Sequence, residues 1–244
     1  MTDGPQTIAF SGMSSLPQGY RALVIGASGG IGGALAETLR GDAGCGEVLT
    51  LSRSGDGFDI THEASIAAAA ERLSADRDTF DLVLCATGGL TINGKGPEKS
   101  LKAIAPDAMA MQFAVNAIGP ALVLKHFSPL MPRQRRGIFA ALSARVGSIG
   151  DNKLGGWISY RSAKAALNQI IRTASIEIAR TSPQSVVVGL HPGTVQTRLS
   201  AAFSGGHAAM PPAESAARLL TVLDTLTPQQ SGGFFAYDGS AVEW

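Results

Sequence analysis

Six short apolar runs, separated by stretches in which apolar residues return every three to four positions, leave this chain very few folds. The runs are RALVI (21–25), EVLTLS (47–52), FDLVLCA (80–86), GIFAALS (137–143), SVVVGL (185–190) and GFFAY (233–237). They read as strands buried on both faces. Between them, Ile31, Leu35 and Leu39 mark one amphipathic helix, an Ala-rich stretch covers 63–74, and 106–131 reads as one long helix. A fourth helix, 158–180, carries Leu167, Ile170, Ile171, Ala174 and Ile178 on one stripe, and 212–226 makes a fifth. Strand and helix in alternation predict an α/β fold: a single domain over residues 20–244 with a doubly wound, mainly parallel sheet flanked by helices. Residues 1–19, five of them Gly or Pro, read as an N-terminal arm. One connection resists this pattern. Only RSGDG (53–57) separates the second strand from a possible short strand at FDI (58–60), whereas a parallel crossover needs about a dozen residues.

Charge narrows the partners. Twenty basic residues against nineteen acidic give a net charge of +1, which supplies no field for nucleic acid. The arginines of MPRQRRG (Arg133, Arg135, Arg136) read as a solvated corner. Cys45 and Cys85 offer neither a disulfide framework nor metal-ligand spacing, so no metal is expected. The first ten residues lack the features of a signal peptide, and no apolar stretch is read as a membrane span. A cytoplasmic protein acting on a small molecule is expected.

The first strand runs directly into GASGGIGGALAETL, which places Gly26, Gly30 and Gly32 at a strand-to-helix turn. Glycines there let the backbone approach a pyrophosphate, whose charge suits the free N–H groups and the helix dipole. The fold expectation thereby sharpens to a Rossmann-like one. The second strand ends in Ser52 and Arg53. An acid at that place would accept the ribose 2′-OH of NAD, whereas a guanidinium binds a 2′-phosphate, so NADP(H) is the expected cofactor.

Far downstream, SYRSAK places Tyr160 and Lys164 one helical turn apart, on one face. Taken with the glycine turn some 130 residues earlier, the pair resembles the short-chain dehydrogenase/reductase family. Further matches are Asp59 in FDI, CATGG in place of N-N-A-G, Asn116 in FAVNAIGP, and HPGTVQT against P-G-x-V-x-T. The segment 142–169 and the ending GGFFAYDG resemble the C-factor-like branch of that family. The resemblance implies an oxidoreductase of carbonyl and alcohol groups, with Tyr160 as general acid and Lys164 lowering its pKa and gripping the nicotinamide ribose. Asn116 would hold a water linking the lysine to solvent. It also implies cofactor contacts from Gly26, Ser28, Gly30, Ile31 and Gly32; from Ser52, Arg53, Asp59 and Ile60; from Ala86, Thr87 and Gly88; and from Pro192, Gly193, Val195 and Thr197. A homodimer or homotetramer is implied as well.

Two departures weaken the match. Read in the register S-S-x-x-G, SARVG puts Ala144 where the family has its substrate-binding serine; Ser143 is expected to face away and Ser148 lies in a longer loop. An alanine cannot donate to an oxyanion, and one lost donor costs on the order of 100-fold in rate. Asparagines of N-N-A-G are also replaced, leaving Thr87 and Gly88. A nucleotide-binding regulatory protein with weak or lost catalysis is therefore the alternative. The segment 198–212, with Leu199, Phe203 and Met210, is expected to form a lid.

Overall fold

The computed structural model describes residues 10–75, 79–197 and 209–244. Its centre is a six-stranded sheet in the order β2-β1-β3-β4-β5-β6, every neighbouring pair parallel. The strands are β1 (Tyr20–Ile25), β2 (Cys45–Leu51), β3 (Leu82–Cys85), β4 (Gly137–Leu142), β5 (Ser185–His191) and β6 (Phe234–Ala236). Their alternation explains why both faces are covered. Ala22, Val24, Leu82, Leu84, Ile138, Ala140, Val186 and Val188 point into one core, while Leu23, Ile25, Val83, Cys85, Phe139, Ala141 and Val187 point into the other. Helices α1 (Gly30–Arg40) and α7 (Pro212–Thr225) cover the first face. The second is covered by α3 (Glu63–Ser74), α5 (Gly119–Phe127) and α6 (Ile158–Ala179).

The described part of the expected arm belongs to the first core. Met13 and Leu16 are buried in it. Asp42 accepts from the Met13 N–H at 2.9 Å, and Asp224 of α7 accepts from the Ser15 N–H at 2.8 Å.

No strand forms at 58–60. Ser52 instead caps a four-residue helix, α2 (Arg53–Asp56): its hydroxyl accepts from the Gly55 N–H at 3.0 Å, and Asp56 accepts from the Ser52 N–H at 2.9 Å. Five residues cannot make a crossover, but they can make a capped turn. Phe58 and Ile60 are still buried in the second core, as side chains of a coil.

The stretch expected as one helix over 106–131 is divided. Pro106 opens α4 (Pro106–Phe113), a π turn follows at Ala114–Ile118, and α5 ends in a short 3₁₀ turn, Ser128–Leu130. By length and composition, Pro106–Leu130 does reach membrane-spanning dimensions, with mean hydropathy 1.3. In this fold it is a packing helix, with Val123, Leu124 and Phe127 in the second core and the polar Gln112 and Asn116 buried beside them.

From β1 the chain goes outward to β2 and then returns to β3 on the other side of β1. Connections leaving in opposite directions open a crevice at the carboxyl ends of β1 and β3, where α/β sheets bind ligands.

Candidate active site

The crevice is floored by backbone. Gly26, immediately after β1, has φ +95°, and a Cβ there would lie 2.9 Å from the carbonyl carbon and oxygen of Ala86. Gly32, in the first turn of α1, sits so close that a Cβ would lie 2.3 Å from the Gly26 oxygen. A side chain at either place would separate the turn from the helix or from the end of β3. Gly29 precedes α1 with no side-chain cap, so the helix N-terminus opens on the crevice.

Two cavities extend from this floor and share Ser28, Gly29, Ala86, Thr87 and Gly88. One, of about 710 Å³ of empty space, reaches Ser52, Arg53, Asp59 and Ile60. The other, of about 1330 Å³, takes in Gly30, Ile31, Gly32, Tyr160, Lys164, Pro192 and Thr197. Residues expected from widely separated sequence positions thus line one elongated cleft. Three expected residues do not line it. Gly193, with φ +79°, turns the chain under Tyr237, and Val195 is buried in a bridge to Met210. The third is Asn116, fully buried within the π turn.

Asn116 works from behind. Its Nδ2 donates to the Gly89 carbonyl at 2.9 Å and to Gln112 Oε1 at 2.8 Å, and its Oδ1 accepts from the Gly89 N–H at 3.1 Å. Gln112 in turn donates to the Leu90 carbonyl at 2.9 Å. The two amides together fix the turn after β3, so that Gly88 lies between Asn116 and Lys164; a Cβ there would be 3.2 Å from Asn116 Oδ1 and 3.5 Å from Lys164 Nζ. Thr87 is hydrogen-bonded to Cys85 Sγ at 3.2 Å.

Lys164 Nζ donates to the Leu142 carbonyl at 2.8 Å and lies 5.8 Å from the centre of the Tyr160 ring. Burial pulls its pKa down to about 8, with nearby Cys85 acting weakly in the other direction. Burial pushes the Tyr160 phenol up to about 12. The expected lowering of the tyrosine by the lysine is therefore absent from this arrangement. The ammonium is directed at the end of β4, and loss of water around the phenol dominates. At neutral pH the phenol is fully protonated and the lysine is mostly charged.

Ser143 also differs from expectation. It lines the cavity with Tyr160 and Lys164, just past the last residue of β4, where strand alternation no longer dictates its direction. Its hydroxyl donates to Asn168 Oδ1 at 2.6 Å. Ser148 is buried away from the cavity, and accepts from the Asp151 N–H at 3.0 Å. Gly29, Phe58, Thr61, Val115, Leu142 and Gln196 line the cleft without having been singled out for it in the sequence. Most are immediate neighbours of residues that were. Of the expected lid, residues 198–208 lie outside the described residues; beyond them, Met210 bridges Val195 and Pro212 opens α7.

Comparison with known proteins places this cleft in context. A family profile described as enoyl-(acyl carrier protein) reductase matches residues 52–238. The 1-hydroxy-2-glutathionyl-2-methyl-3-butene dehydrogenase of Rhodococcus sp. (strain AD45) is 32% identical over 232 residues, covering 91% of this chain and 98% of that protein. The C-signal protein of Myxococcus xanthus is 39% identical over 140 residues, 56% of this chain and 78% of its own. The crystal structure of an NADPH-bound carbonyl reductase from chicken fatty liver superposes with a TM-score of 0.79 at 25% identity, covering 94% of this chain and all of that one. Likeness that runs nearly end to end in both sequence and fold makes this chain a member of the short-chain dehydrogenase/reductase family.

Proposed function

We propose that the protein is an NADPH-dependent reductase of small aldehydes or ketones, with Tyr160 as the proton donor. One observation carries this reading: Tyr160 and Lys164, on a single face of α6, open into the same cleft as the glycine turn after β1.

The residues present suit a dinucleotide. Gly26 and Gly88 leave main chain bare where a Cβ would meet backbone or polar atoms, the open end of α1 favours a pyrophosphate, and Arg53 lines the far cavity with no acidic residue at Ser52. The chicken carbonyl reductase of similar fold was solved with NADPH. Bound NADPH would supply the hydride. Asp59 and Ile60 would flank its adenine end, while Lys164, Pro192 and Thr197 would serve the nicotinamide end.

Tyr160 would give its proton to the carbonyl oxygen, and a phenol held at about 12 is a full reservoir of that proton at neutral pH. The same shift keeps the phenolate, the form that would accept a proton in alcohol oxidation, scarce at neutral pH. Ser143 commits its hydrogen to Asn168, and Ala144 has none, so neither supplies the developing oxyanion with a donor in this arrangement. Asn116 would act by holding the Gly89 turn against Lys164. Free cysteines Cys45 and Cys85 suit a reducing, cytoplasmic setting. Pairing of subunits into a dimer or tetramer is checked by light scattering.

The test is turnover of NADPH with a panel of carbonyl compounds, repeated with Tyr160→Phe. A loss of about 100-fold or more in kcat with unchanged NADPH binding is expected. Tight NADPH binding without turnover by the parent protein would favour the regulatory alternative.

A further inference from the structure

Gly155, Gly156 and Trp157, immediately ahead of α6, are three successive left-handed residues with φ of +64°, +68° and +53°. Glycine tolerates this conformation, but tryptophan does not adopt it unless its surroundings impose it. Those surroundings are specific. The Trp157 N–H donates to the Glu98 carbonyl at 2.6 Å, and the Glu98 carboxylate accepts from the Ser159 N–H at 2.7 Å and from the Ser159 hydroxyl. Arg161 completes the clasp. Its Nε donates to the Gly156 carbonyl at 2.9 Å, one terminal nitrogen to the Gly155 carbonyl at 3.1 Å and the other to the Val146 carbonyl at 3.2 Å. The Trp157 ring then meets the Tyr160 ring edge-on, with centroids 6.4 Å apart and planes at 71°.

We propose that Arg161 is a positioning residue for the proton donor: by binding three main-chain carbonyls it holds the left-handed Gly-Gly-Trp turn, and through Trp157 it sets the Tyr160 ring. Arg161 does not line the cleft. Its planar fork spans the turn before α6 and the loop after β4, which a lysine's single nitrogen cannot do at once. Released from those carbonyls, Trp157 relaxes to ordinary φ, the first turn of α6 re-forms, and the phenol moves away from its productive place. Displacement of a reacting group by about 1 Å costs on the order of 100-fold in rate.

This rests on the reading of Tyr160 as proton donor, and the test separates the two. Arg161→Ala and Arg161→Lys are prepared in a Trp244→Phe background, which leaves Trp157 as the sole indole of the two in the chain. Expected for Arg161→Ala are a fall in kcat of roughly 10- to 100-fold, an unchanged NADPH dissociation constant, and increased quenching of Trp157 fluorescence by acrylamide. Added guanidinium, well below denaturing concentration, restores part of kcat, and Arg161→Lys lies between; Arg161→Lys also serves if the alanine variant does not fold. Unchanged kcat and unchanged quenching would overturn the proposal, as would equal losses of kcat and NADPH affinity without rescue. A parent protein that turns over no carbonyl, yet releases Trp157 when Arg161 is replaced, would instead refute the proton-donor reading on which the positioning role depends.

Discussion

Replacing Lys164 with methionine should leave the protein at least as stable as before at pH 7 while removing its activity. Lys164 is 2% exposed and lies in the wall of the cleft, at the end of β4. Burial, opposed only slightly by Cys85, lowers its pKa from 10.5 to about 8. At about 1.4 kcal/mol per unit, that is a cost of about 3 kcal/mol for keeping the charged form folded. Methionine leaves the Leu142 carbonyl, which accepts from Nζ at 2.8 Å, without that donor, at a cost of about 1–3 kcal/mol. Methionine fills similar space without charge, so the net change is a gain of about 0–2 kcal/mol. The sign with pH follows from the lowered pKa. Between 8 and 10.5 the unfolded lysine holds a proton that the folded one has released, so the parent protein gains stability relative to Lys164→Met as pH rises. From pH 7 to 9 the gain is about 1 kcal/mol. Urea denaturation of both proteins at the two pH values measures it. A variant less stable by more than about 2 kcal/mol at pH 7, with a difference that stays flat to pH 9, would refute the account of Lys164 as a desolvated cation kept for function.

Three further outcomes are expected. Arg53→Ala should weaken NADPH binding by about 10-fold and leave NADH binding unchanged in fluorescence titration; equal affinity of the parent protein for both would remove the assigned role of Arg53. Gly32→Ala should destabilise by about 2–3 kcal/mol and abolish dinucleotide binding in thermal-shift assays, because the added carbon would meet the Gly26 oxygen at 2.3 Å. His191 is held down to about 4, chiefly by burial and also by Arg145, against Asp238. The unfolded imidazole therefore takes up a proton first, and stability should fall by about 3 kcal/mol as pH drops from 6.5 to 4; His191→Gln should flatten that part of the denaturation profile.

Much of the molecule follows from residues read in order. The alternation of strands and helices, the glycine turn ahead of α1 and the one-turn spacing of Tyr160 and Lys164 depend on local periodicity, which a chain carries with it wherever it folds. All six expected runs became strands. The failures lie where specific hydrogen-bond partners, near or distant along the chain, override periodicity. A reciprocal cap at Ser52 and Asp56 made 53–56 helical, and Asn116, bound to Gly89, sits in a π turn where an unbroken helix was expected. The tyrosine's acidity went the other way because burial, which only packing decides, outweighs an ammonium directed at Leu142. Ser143 shows the same limit. Its place in the cleft was set by the end of β4 and by Asn168, 25 residues away, and no period in the sequence encodes a hydrogen bond across that distance. Spacing along the chain determined which residues could share a face; desolvation and long-range partners, present only once the chain is folded, decided what those residues can do.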